Sequence, residues 1–164
     1  EQKAIYELVL QVQQACIDAI RPGVPWIKIH NISVEVLTQG LVDLGLLKGD
    51  IEGLIDTGAY KAFYMHRIGH WLGMDVHDVG LYSANGSSRT LEAGMVTTIE
   101  PGIYIDIDDQ EVPEAFRGIG VRIEDDILVT DSAPDILTID CVKKIDDVEA
   151  MVRDSPRWVR RVTL

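Results

Sequence analysis

Three of the four histidines in this 164-residue chain fall in one stretch, His66 to Asp78, which reads H-R-I-G-H-W-L-G-M-D-V-H-D. His66, His70 and His77 are followed downstream by two glutamates, Glu100 in T-I-E-P-G and Glu124 in R-I-E-D-D. A neutral imidazole nitrogen combined with anionic carboxylate oxygens suits a divalent ion such as Mn²⁺, Co²⁺ or Zn²⁺. His66 and His70 are four apart, which would share a helix face. Gly69, Gly73 and Gly80 argue instead for loop and strand geometry. A single histidine of this kind is usually structural, whereas three so close together, set among glycines, point to chemistry. Glu100 and Glu124 each follow an apolar, β-branched run, and a carboxylate there is costly to bury unless it is paired or coordinated. For Glu124 a plain ion pair with Arg122, on the same strand face, competes with coordination. His30 lies in a helical pattern and reads as a surface or satisfied core histidine.

These residues need elements to hold them. Apolar positions Ile5, Leu8, Val9, Val12, Ala15, Cys16 and Ala19 have helical spacing and predict a helix over 4–20, stopped by Arg21-Pro22-Gly23. A second helix is expected over 25–44, closed by Gly45, and a short one over 51–55 with Asp50 as its N-cap. Lys61 to Met65 reads as a strand feeding the histidines, and Leu81 to Arg89 as a loop. Strands are expected over 95–99, 103–107 and 136–139, with the strongest over 118–130. A closing helix over 146–153 precedes a polar tail through Trp158 and Arg161. Helices first and strands later make the class α+β.

The bulk properties bound the function. The length fits one domain with a real core. The 46% hydrophobic fraction fits a folded globular chain. A net charge of −12 argues against nucleic acid or anionic membrane as a partner. There is no apolar run of membrane-spanning length and no signal-peptide pattern, so a cytoplasmic location is the default expectation. Cys16 and Cys141 read as buried free thiols.

Taken together, the histidine stretch, G-M-V-T-T-I-E-P-G-I-Y-I and R-G-I-G-V-R-I-E-D-D resemble the bacterial Xaa-Pro aminopeptidases (aminopeptidase P), over nearly the whole chain to about Met151. The resemblance implies the pita-bread fold shared with creatinase, prolidase and methionine aminopeptidase, with helices packed on a curved, mostly antiparallel sheet. It implies two divalent ions, commonly Mn²⁺, held by two Asp, one His and two Glu. His70, Glu100 and Glu124 match the His and Glu ligands. A metal-bridging hydroxide would attack the scissile carbonyl, with Glu100 also moving a proton. His66 and His77 match residues that contact substrate, and Arg122 one that supports the site. Peptides with proline in the second position are the implied substrates; a homo-oligomer is expected because apolar surface is left bare where the rest of the catalytic domain would pack.

In the family the two Asp ligands lie upstream of the helix that opens this chain. Residues 1–164 are therefore expected to form a partial catalytic domain, without the N-terminal domain and the first half of the pita-bread, and to be inactive alone. Arg67 stands where relatives often have Gly. Prolidase, which cleaves Xaa-Pro dipeptides, and a non-catalytic pita-bread binding module are the rival readings. Retention of all three ligands counts against the module.

Overall fold

The computed structural model describes residues 1–154, so the expected tail at Trp158 and Arg161 lies outside the described residues. Helix α1 (Gln2–Ala19) buries Ile5, Leu8, Val9, Val12, Cys16 and Ile17 on one face. Helix α2 (Trp26–Asp43) packs on it through Trp26, Ile29, Val34, Leu37 and Leu41. Each such side chain contributes about 2 kcal/mol by leaving water, an upper figure because the unfolded chain already hides some area. The crossing is tight because Gly40 has no side chain. A Cβ there would lie 2.1 Å from Leu8 Cδ1. Helix α3 (Ile51–Thr57) begins with the expected cap, Gly53 N donating to Asp50 Oδ1 at 2.8 Å, and ends at left-handed Gly58.

The strands form a second layer of small antiparallel sheets: β1 (Ser83–Ala84) with β2 (Ser87–Ser88), β3 (Val96–Ile99) with β6 (Asp125–Leu128) and β7 (Asp135–Ile136), and β4 (Gly102–Tyr104) with β5 (Gly120–Arg122). Residues 68–72 run along the free side of β3. Glu100 N donates to Ile68 O at 2.7 Å, Thr98 N to His70 O at 2.9 Å, and Leu72 N to Val96 O at 3.1 Å. Buried Gln13 ties the layers together by donating to Ile99 O at 3.2 Å. Helix α4 (Ile145–Asp154) closes against α1. The expected α+β class is what the chain adopts.

Several elements differ from expectation. The single strand over 118–130 is two strands, β5 and β6, in different sheets. Pairing runs Gly102↔Arg122 in one and Ile99↔Asp125 in the other, so one register continues across both. The interruption falls at Glu100-Pro101 opposite Ile123-Glu124, where proline cannot donate to a ladder. Residues 61–65 form no strand. Left-handed Gly58 leads instead into a 3₁₀ turn over Ala59–Ala62, and Phe63 and Tyr64 then bury their rings. The expected strands over 103–107 and 136–139 shorten to β4 and β7. The presumed loop over 81–89 contains the β1–β2 hairpin, turned by Asn85 (φ 52°) and Gly86 (φ 77°), the positive angles that an Asn-Gly turn supplies. Cys16 is buried, but Cys141 is exposed, which corrects the reading of both thiols as buried. Its neighbour Lys143 explains the local geometry: its Nζ lies 2.8 Å from Asp125 Oδ1 and 2.8 Å from Cys141 O. The ammonium joins the Cys141 carbonyl to that buried carboxylate, and the thiol is left exposed.

Candidate metal centre

Both glutamates sit in the break between the two sheets. The continuous register places Glu100 directly across from Glu124, where Cβ atoms are about 5 Å apart. Like charges at such a pair are destabilising. Parity along 68–72 and β3 puts His70, Thr98 and Glu100 on one face. As a result one nitrogen of His70 and one oxygen each of Glu100 and Glu124 lie within 4.8 Å of one another. Among the described residues this is the only such group of three or more His, Cys, Asp or Glu.

The tautomer of His70 follows from its neighbour. Nδ1 lies 3.0 Å from Trp71 O, a carbonyl that can only accept, so Nδ1 carries the hydrogen and Nε2 is left with its lone pair. That lone pair faces Glu100 Oε1 at 3.4 Å. Two acceptors in this arrangement repel unless a cation or proton lies between them, and Glu124 adds a third. The donor set of one imidazole and two carboxylates fits a divalent ion. Burial raises the Glu124 pKa above the ordinary carboxylate value, and the charges of Glu100 and then Asp126 add to that. His70 and Arg122 oppose it.

Arg122 and His66 belong to one hydrogen-bonded chain. Arg122 Nη1 lies 3.5 Å from Glu100 Oε2, and its Nε donates to the Tyr104 hydroxyl at 2.6 Å. His66 Nδ1 donates to Arg67 O at 2.8 Å, leaving Nε2 to accept from Tyr104 at 3.1 Å. The direction is fixed throughout: guanidinium to phenol oxygen, phenol hydrogen to imidazole. Arg122 thus pairs with Glu100 and not, as the simple ion-pair alternative had it, with Glu124. His77 lies on the exposed loop, and its ring meets His70 edge-on with centroids 4.3 Å apart. His30 stays apart from the cluster. Burial, then the nearby charges of Arg67 and His66, push its pKa down to about 4.

Two residues escaped the sequence reading. Thr98 Oγ1 accepts from His70 N at 3.0 Å and donates to Glu100 Oε1 at 3.2 Å, tying the two candidate ligands together. The signal was there, since Thr98 shares strand parity with Glu100. Tyr104 also lay inside a quoted motif, but nothing in a single sequence shows that its hydroxyl lies between an arginine and a histidine.

Comparison with known proteins places these features in context. A profile for metallopeptidase family M24 matches residues 1–131. The chain is 51% identical over 151 residues to an Xaa-Pro aminopeptidase from Haemophilus influenzae, covering 92% of this chain and 35% of that protein. Its fold matches Pseudomonas aeruginosa aminopeptidase PepP with a TM-score of 0.90 at 55% identity, over 92% of this chain and 34% of that one. It also matches Escherichia coli aminopeptidase P, solved with the inhibitor Pro-Leu, with a TM-score of 0.87 at 46% identity, over 93% and 34% respectively. The chain spans about a third of the length of the curated relatives it matches.

Proposed function

The chain belongs to metallopeptidase family M24 and has its pita-bread architecture, and on that premise we propose that it forms part of an Xaa-Pro aminopeptidase. Such an enzyme releases the N-terminal residue of peptides that carry proline in the second position. The observation that carries the reading is the convergence of His70, Glu100 and Glu124 within 4.8 Å. We assign these three as ligands for two divalent ions, with Mn²⁺ the preferred metal. When bound, such ions supply Lewis-acid polarisation of a carbonyl and lower the pKa of a water.

The chain's own residues have distinct tasks. Thr98 fixes the separation of His70 and Glu100. Glu100, the less exposed of the two glutamates, moves a proton toward the leaving proline nitrogen through Oε1, the oxygen that faces His70. Arg122 holds the other oxygen and keeps Glu100 from turning away. His77 offers a ring nitrogen to the peptide backbone, and His66, whose nitrogens are held by Arg67 O and the Tyr104 hydroxyl, would exchange one of those bonds for a bond to substrate. Three groups are fewer than a pair of divalent ions requires, so the described residues alone hold metal weakly and hydrolyse little. Cleavage restricted to dipeptides would favour prolidase instead. A cytoplasmic location and a homo-oligomer remain part of this proposal.

Titrating the chain calorimetrically with Mn²⁺ tests the assignment. Weak binding that disappears in His70→Ala and in Glu124→Gln is expected, with little cleavage of an alanyl-prolyl-alanine tripeptide. Mn²⁺ binding that is unchanged in both variants would overturn the ligand assignment. Rapid tripeptide cleavage by the 164 residues would overturn the claim of incompleteness.

A further inference from the structure

The β1–β2 hairpin turns on Asn85-Gly86, the only asparagine–glycine pair in the sequence. Asn85 is also the only residue other than glycine at positive φ among the described residues. Both residues are exposed. The Asn85 carboxamide meets no hydrogen-bond partner among the described residues. A Cβ on Gly86 would have nothing within 4 Å, so the space beside its nitrogen is open. The chain's other asparagine, Asn31, is placed differently. It lies inside α2, and the nitrogen of the β-branched Ile32 that follows is bound into the helix ladder.

An unhindered backbone nitrogen one residue after an asparagine can close a five-membered ring on its side chain. We propose that Asn85 is a site of spontaneous deamidation. The Gly86 nitrogen gives up its proton to hydroxide and attacks Asn85 Cγ. A C–N bond forms, the Cγ–Nδ2 bond breaks, and Nδ2 takes a proton from water and leaves as ammonia. A second water opens the cyclic imide at either carbonyl, leaving aspartate or isoaspartate, with no change of oxidation state. The turn sets the rate. Its positive angles hold the Gly86 nitrogen away from Cγ, so ring closure waits until the hairpin opens. Strands of two residues each open readily.

The product disturbs what packs around it. Isoaspartate adds a main-chain carbon to the turn, and the pairing of Ser83 with Ser88 and of Ala84 with Ser87 no longer fits. Ser88 Oγ accepts from Ile27 N at 2.9 Å, Arg89 N donates to Tyr82 O at 2.9 Å, and Arg89 O accepts from Trp26 N at 2.8 Å. Loss of register loosens these ties. One wall of a groove of about 590 Å³, between the hairpin and Trp26 at the start of α2, opens with them.

Peptide mapping of the 164-residue chain held at mildly alkaline pH tests the site. Aspartyl and isoaspartyl forms accumulate at Asn85 and not at Asn31, faster as the pH is raised. The rate falls within about tenfold of that in a free peptide of residues 80–91, as expected of a hairpin that opens at little cost. Asn85→Gly keeps a pair that suits the turn and yields no product. Hydrogen exchange then reads the consequence. In the isoaspartyl form the Arg89 and Ile27 amides exchange at least about fivefold faster, the effect of one lost hydrogen bond. In Asn85→Asp, which adds the charge without the extra carbon, they stay protected. Conversion about a hundredfold slower than in the peptide, or product at Asn31 in preference, would overturn the site. Equal exchange in all forms would overturn the loosening of the hairpin.

Discussion

Replacing Tyr104 by phenylalanine removes one oxygen and interrupts the chain from Glu100 to His66. In the folded protein that oxygen accepts from Arg122 at 2.6 Å and donates to His66 at 3.1 Å. A buried hydrogen bond to a charged group contributes about 1.5–3 kcal/mol. The Arg122 side chain is 48% exposed, so water replaces part of what is lost, and about 1 kcal/mol remains. The neutral bond to His66 adds about 0.5–1 kcal/mol. Tyr104→Phe should therefore cost about 1.5–2 kcal/mol, a fall in Tm of about 4–6 °C for a chain of this size. Urea denaturation of Tyr104→Phe, Arg122→Met and the double variant separates a chain of contacts from independent ones. The double variant should be less destabilised than the sum of the singles by about 1 kcal/mol. Additivity within about 0.3 kcal/mol would refute the view that Tyr104 and Arg122 act as one unit.

Three further outcomes follow from groups elsewhere. Lys143→Met leaves the Asp125 carboxylate, whose side chain is 1% exposed, without its cation. A loss of about 3–5 kcal/mol in urea denaturation is expected, and a loss below about 1 kcal/mol would contradict it. Glu124 has a raised pKa in the fold, so the folded chain takes up a proton there more readily than the unfolded one. The metal-free chain accordingly gains stability as pH falls from neutral through the raised value toward the ordinary carboxylate range, where the gain is complete. Because the group is mostly exposed, the gain is a few tenths of a kcal/mol. Glu124→Gln should flatten that part of the pH–stability curve and stabilise the metal-free chain while losing Mn²⁺. Finally, burial pushes the Cys16 thiol up to about 12, whereas Cys141 is exposed. One equivalent of a thiol reagent should react in the native state and the second only on unfolding, with mass spectrometry locating the first at Cys141.

Periodicity made the helices legible in the sequence, because α1 and α2 are amphipathic along their whole length and their ends carry glycine or proline. The Asp50 cap was equally readable, being a local rule with a local cause. The glutamates that meet His70 could be picked out as candidates because carboxylates in apolar strands need a reason to be there. What stayed hidden depends on pairing between distant segments. The run over 118–130 looks like one strand by alternation, and only its partner, with Pro101 opposite, shows where it divides. Residues 61–65 have strand-like composition, but the preceding left-handed Gly58 turns them into a 3₁₀ turn and two buried rings. The partner of Arg122 could not be settled by parity, since parity relates neighbours on one strand and Glu100 is on another.

The single register shared by the two hairpins has a consequence for how the chain tolerates changes in length. Glu100 faces Glu124 only because the residues on each side of the break are counted off against each other without a gap. One residue gained or lost between Val96 and Tyr104, or between Gly120 and Leu128, would turn one glutamate to the opposite face and separate the pair. The segment from 105 to 119 joins β4 to β5 outside this count. Insertions and deletions there can accumulate without disturbing the spacing of the carboxylates, so variation in length among related chains should concentrate in that segment and stop at its two ends.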